Sequence, residues 1–126
     1  MKIEHIALWA NDIDRVCEFY KKYFHAEIGD LYINPVKGFR SRFIKFDISS
    51  RLEVMYQDNL KHSTYDPHFG YAHISISVGN KEMVDNLTEQ MQSDGIIVKS
   101  EPRFTGDGYY ESTVLDYEGN LVEITI

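Results

Sequence analysis

The chain has 126 residues and a mass of 14.7 kDa, room for one compact domain that buries roughly two-thirds of its unfolded surface. With 43% hydrophobic and 26% charged residues, eight Gly and three Pro, it is not collagen-like, low-complexity or wholly disordered. Its net charge of −7 argues against nucleic acid as a partner. No apolar run approaches the ~20 residues that cross a bilayer, so the expectation is a cytoplasmic protein with no membrane partner.

The first element is a strand over Lys2–Trp9, with Ile6 and Leu8 on one face and Ile3, His5, Ala7 and Trp9 on the other. Asn11 or Asp12 then caps a helix to about Phe24, whose apolar stripe is Ile13, Val16, Tyr20 and Phe24, filled in by Cys17 and Tyr23. Extended segments follow at about Glu27–Ile33, Phe39–Ile48 and Arg51–Gln57, with turns near Asn34-Pro35 and Ser49-Ser50. Residues 58–70 are polar, contain Pro67 and read as a linker.

After the linker the order repeats. Tyr71–Val78 alternates, with Ala72, Ile74, Ile76 and Val78 on one face and His73, Ser75 and Ser77 on the other. Asn80 caps a helix through Met83, Val84, Leu87 and Met91, its Met residues being core positions, and Gly95 stops it. Strands follow at Ile96–Lys99, Tyr109–Asp116 and Asn120–Ile126, with a turn at Glu118-Gly119. The expected architecture is a single α+β domain over 1–126. Two βαβββ repeats, about 1–57 and 71–126, form a cupped mixed sheet with helices on its outer face.

The two halves agree residue by residue. His5-Ile6-Ala7-Leu8 matches His73-Ile74-Ser75-Ile76, and a strand glutamate follows each histidine by about fifty positions, Glu53 and Glu123. Leu52, Val54 and Tyr56 lie opposite Glu53, and Val122, Ile124 and Ile126 opposite Glu123. If those apolar sets face the helices, His5, Glu53, His73 and Glu123 all face the concave side. Two imidazoles and two carboxylates there suit a divalent Ni, Zn, Co, Mn or Fe ion, with two octahedral positions left open. Taken singly, a strand histidine is more often a hydrogen-bonded core residue and a strand glutamate merely solvated. The repetition of the pair shifts the balance to a metal.

The chain resembles the vicinal oxygen chelate superfamily, which includes glyoxalase I and the bleomycin-resistance proteins. The resemblance covers nearly the whole chain and rests on HIAL at His5, FY at Phe19-Tyr20, LEVMY around Glu53, YAHISISV around His73 and LDYEGNLVEI around Glu123. It implies paired βαβββ units around a metal, and its glyoxalase I branch implies His5, Glu53, His73 and Glu123 as ligands. The chemistry suited to such a site is proton abstraction beside a chelated carbonyl, giving an enediolate. A glutamate released from the metal moves the proton, Glu123 being the first choice and Glu53 the second. The substrate is a small α-oxo or hemithioacetal compound.

Two positions depart from the glutathione-using pattern: Trp9 stands where an arginine is expected, and Gln57 partly answers an expected asparagine. Tyr109, Glu111 and Thr113 share a face of the second half, and a polar lining there points to a smaller or more polar substrate. Competing readings are an acyl-thioester epimerase, whose branch commonly has Gln at the place of Glu53, and a drug- or metabolite-sequestering protein of bleomycin-resistance type. Extradiol dioxygenation and thiol transfer to fosfomycin use three-ligand sets and fit less well. Open sheet edges on the repeats favour a homodimer. Arg40, Arg42 and Lys45 read as solvated or edge-protecting residues rather than an anion site. His25 reads as a structural residue at a helix end, His62 and His68 as surface residues of the linker, Cys17 as a small core residue, and Gly106–Gly108 as a turn.

Overall fold

The computed structural model describes residues 3–61, 70–106 and 108–126; His62, His68 and most of the expected linker lie outside them. The chain divides into two compact units, Met1–Thr64 and Tyr65–Ile126.

In the first unit the elements are β1 (Ile6–Trp9), α1 (Ile13–Phe24), β2 (Glu27–Ile28), β3 (Tyr32–Asn34), β4 (Phe39–Lys45) and β5 (Arg51–Gln57). The helix begins where the Asp12 carboxylate accepts the Arg15 backbone N–H at 3.0 Å, and it ends at His25, in the left-handed conformation with φ 55°. Its stripe of Ile13, Val16, Cys17, Phe19, Tyr20 and Tyr23 is buried, and with Ile44, Leu52 and Val54 it forms the core of this unit. The sheet order is β1-β5-β4-β2, with β3 also on β4 and β1 parallel to β5.

One segment expected as a single strand is two. The Gly29 N–H donates to the Phe43 carbonyl at 2.8 Å. A Cβ at Gly29 would stand 2.9 Å from that oxygen, so the close approach depends on glycine. β4 is therefore an inner strand, paired with β5 on one side and with β2 and β3 on the other. This corrects the edge-protecting reading of Arg40, Arg42 and Lys45. Arg42 reaches Asp14 of α1 at 3.1 Å and the Gly29 carbonyl at 3.0 Å, while Arg40 lies over the Tyr56 ring at 4.3 Å.

The second unit comprises β6 (Ile74–Ser77), α2 (Lys81–Ser93), β7 (Val98–Phe104), β8 (Tyr110–Leu115) and β9 (Leu121–Thr125). Its sheet order is β6-β9-β8-β7, with β6 parallel to β9. The Asn80 side chain caps α2 by accepting the Met83 N–H at 2.9 Å. The stop at Gly95 is a Schellman turn, with the Gly95 N–H on the Gln92 carbonyl and the Ile96 N–H on that of Met91. The buried stripe of α2 is Val84, Thr88 and Met91. Met83 is 51% exposed, which corrects its reading as a core residue; a polar threonine holds the buried turn instead. Val114, Val122 and Ile124 complete this core.

The α+β class and the duplicated βαβββ order are borne out, each repeat building its own mixed sheet, with β2 and β3 together filling one strand's place. Among the described residues, no helix is long and apolar enough to cross a membrane.

Candidate metal-binding pairs

Alternation along β5 places Leu52 and Val54 in the core and leaves Glu53 on the opposite face, its side chain 17% exposed. Across the parallel ladder Ala7 is paired with Glu53, so His5 stands two residues before the partner of the carboxylate. The second unit repeats this relation: Ser75 is paired with Glu123, and His73 stands two residues before it. The imidazole Nε2 lies 3.7 Å from Glu53 Oε2 in the first pair and 3.6 Å from Glu123 Oε2 in the second. Both histidines stand immediately before their strands, which begin later than the expected Lys2 and Tyr71.

The surroundings of the pairs differ. In the first, Glu4 engages Nδ1 of His5 and also forms an ion pair with Arg51. Arg51 lies over the Phe43 ring at 4.3 Å, and the His5 ring meets Phe43 edge-on at 5.2 Å. Glu4 thus commits Nδ1 to an outer carboxylate and leaves Nε2 turned to Glu53. The strand neighbours of Glu53 are Ala7 and Phe43, neither able to donate a side-chain hydrogen bond. In the second pair they are Ser75 and Thr113, and the Ser75 hydroxyl donates to Glu123 Oε1 at 2.6 Å. One half holds its imidazole and the other its carboxylate. Glu4 and Ser75 were missed by sequence reasoning, although each carried a signal: Glu4 adjoins His5, and Ser75 shares the face of His73.

The remaining candidates fall into two groups. Trp9, 47% exposed, meets the Phe39 ring edge-on at 6.4 Å, and Tyr32 reaches Phe39 at 6.2 Å. Gln57 is paired with Phe39 across β4 and β5. These residues share a face with Glu53, so an aromatic surface lies one to two ladder steps from the first pair. On the second unit Thr113 is paired with Glu123, Glu111 lies 3.7 Å from Arg103, and Tyr109 is exposed just before β8. Arg40 and Arg42 lie on the helix-facing side of β4, away from Glu53.

Ligand-type side chains come together only as pairs, with no group of three or more among the described residues. The donors of each pair fit a divalent cation. Adjacent ligands about 2.1 Å from an octahedral ion lie ~3 Å apart, somewhat closer than the 3.7 and 3.6 Å of the two pairs. Cys17 takes no part. It is buried on the inner face of α1, and burial pushes its thiol up to about 11.

A family model described as Glyoxalase/Bleomycin resistance protein/Dioxygenase superfamily matches residues 2–124. Solved structures of similar fold include glyoxalase I from Zea mays, at 20% identity and TM-score 0.81, covering 98% of this chain and 44% of that one. The chain thus spans less than half of the maize protein. The trypanothione-dependent glyoxalase I of Leishmania major is similar at 21% identity and TM-score 0.79, with 99% and 86% covered. A glyoxalase family protein from Enterococcus faecalis is similar at 21% identity and TM-score 0.81, with 99% and 97% covered. Among curated proteins none matches the chain in sequence.

Proposed function

Because the chain belongs to the Glyoxalase/Bleomycin resistance protein/Dioxygenase superfamily, we propose that it is a metal-dependent lyase or isomerase of glyoxalase type. It moves a proton beside the carbonyl of a small α-oxo or hemithioacetal substrate. The observation that carries this reading is the duplicated pair, with imidazole and carboxylate at 3.7 and 3.6 Å on equivalent ladder positions. Solved glyoxalase I structures of the same fold support it.

The four ligands, His5, Glu53, His73 and Glu123, serve one divalent ion, drawn from the halves of one chain or from two chains. Two carboxylates balance its charge, and the absence of a thiolate favours Ni, Zn, Co, Mn or Fe over softer metals. Such an ion supplies Lewis acidity to a carbonyl oxygen. The protein supplies the rest: imidazoles that orient the site, and a carboxylate that takes the proton from carbon and returns it at the neighbouring carbon.

Elemental analysis after loading with Ni, Co, Zn or Mn tests the proposal. One ion per four-ligand set is expected, lost in His5→Ala and Glu123→Ala. Sub-stoichiometric binding that both variants leave unchanged overturns it.

A second reading is favoured by the exposed rings of Trp9 and Tyr32 beside Phe39. Aromatic faces of this kind hold flat ligands without chemistry, as a sequestering protein would. Tight binding of an aromatic metabolite by metal-free protein, quenching Trp9 fluorescence, would favour it.

A further inference from the structure

Building on the metal-dependent reading, we infer that Glu4 and Arg51 are positioning residues that ready His5, and not His73, to ligate before any ion arrives. The carboxylate of Glu4 is shared between two partners: Oε2 meets Nδ1 of His5, and Oε1 pairs with the Arg51 guanidinium. A carboxylate accepts and cannot donate, so the proton of the neutral His5 ring sits on Nδ1. Nε2 then carries a bare lone pair, and it faces Glu53 Oε2 at 3.7 Å. Two acceptor atoms turned toward each other with no proton between them are an arrangement that a cation relieves.

The rest of the network keeps the ring still. Arg51 lies over the Phe43 ring at 4.3 Å, and Phe43 meets the His5 ring edge-on at 5.2 Å. The guanidinium that anchors Glu4 is thus seated on the same ring that flanks the imidazole. A turn of the imidazole breaks the Glu4 contact and the edge-on contact at once.

The duplication supplies the control. The residue before His73 is Ala72, the residue two before Glu123 is Leu121, and Thr113 stands opposite Glu123 where Phe43 stands opposite Glu53. Every member of the network is replaced in the second half, yet the His–Glu spacing there is 3.6 Å. Glu4 is therefore not needed for the spacing; what it selects is the nitrogen. No described residue engages Nδ1 of His73, so nothing there draws its proton off Nε2, the atom turned to Glu123.

Proton–nitrogen correlation spectra of metal-free protein, in slightly alkaline buffer where both rings are neutral, read the tautomers without any ion. His5 is expected in the Nδ1–H form and His73 in the Nε2–H form. Glu4→Ala is expected to return His5 to the Nε2–H form and to weaken Ni(II) binding, followed by calorimetry, about ten-fold. Glu4→Gln, whose amide oxygen still accepts from Nδ1, should restore most of both. Ala72→Glu, which sets a carboxylate before His73, should move that ring to the Nδ1–H form and tighten Ni(II). Unchanged urea midpoints separate these effects from a loss of folding.

An Nε2–H form of His5 in wild type overturns the inference, as does wild-type Ni(II) affinity in Glu4→Ala. If wild type takes up no Ni(II), the metal reading fails and the inference with it, whatever the spectra show. Ni(II) held as tightly by Glu4→Ala as by wild type leaves that reading standing and removes only the part given to Glu4 and Arg51.

Discussion

The hydroxyls of Thr88 on α2 and Ser112 on β8 lie 2.6 Å apart, both fully buried, joining helix to sheet in the second unit. Thr88 also donates to the Val84 carbonyl at 2.7 Å, and a hydroxyl has one proton, so Ser112 is the donor of the pair. Thr88→Val leaves that donor buried without an acceptor and is expected to destabilise by about 1–3 kcal/mol. Ser112→Ala removes the donor cleanly and should cost less, about 1 kcal/mol. The double variant should fall well short of the sum of the two. Urea denaturation of the three variants measures this; strict additivity would show that the hydroxyls do not interact.

Cys17 links burial to alkaline stability. Burial raises its thiol from 9.0 to about 11, against a weaker opposite pull from Arg42. Between those values the unfolded chain has released the proton and the folded chain still holds it, so stability falls as pH rises. The decline should be steeper in wild type than in Cys17→Ala. The hydrogen bond to Asp85 raises the Tyr110 hydroxyl as well, and that contribution remains in both proteins. At pH 8 the native thiol should resist a disulfide reagent that reacts promptly in urea. Prompt native labelling would contradict the burial argument.

Trp9 bears on the thiol cofactor. The exposed indole, set against Phe39, has no charge to offer a glutathione carboxylate. The glutathione hemithioacetal of methylglyoxal should be a poor substrate. A charge-assisted contact is worth about 1.5–3 kcal/mol, so Trp9→Arg should raise kcat/KM for it by roughly ten- to a hundredfold. Efficient turnover by wild type would show that the indole is accommodated.

Oligomeric state is a separate matter. Each sheet has two edges, with β1 and β6 forming one in each unit, and Ile3, Ile6 and Tyr71 are exposed at or near those strands. Edges that carry no further strand among the described residues, with apolar neighbours, invite association. Light scattering at micromolar concentration should give about twice 14.7 kDa. A stable species at the single-chain mass would refute the dimer.

Periodicity made the helices and most of the strands legible, because each buries one face and the repeat supplies every pattern twice. Other features depend on tertiary partners. β7 runs through Pro102 to Phe104, past the expected end at Lys99, because it is an edge strand. Such a strand tolerates a missing N–H, and the ladder with β8 shifts register on both sides of Ser100. The break at Gly29 depends on the Phe43 carbonyl, fourteen residues away and invisible in local pattern. In the candidate pairs, residue type and spacing revealed the histidines and glutamates. Glu4 and Ser75 escaped notice because their meaning lies in which atom they engage, and alternation cannot convey that.

The parallel ladders carry a consequence for assembly. β1 joins β5, and β6 joins β9, across the longest separations in their units. Each His–Glu pair therefore comes into being only when a loop of roughly forty residues has closed, and such distant contacts are the slow, entropically unfavourable part of folding. A cation gripping the pair would tie that closure shut, and its binding free energy would add to the stability of the folded chain. Metal uptake followed in time during refolding would then report when the long-range ladders have closed, with the ion serving as a clasp on them.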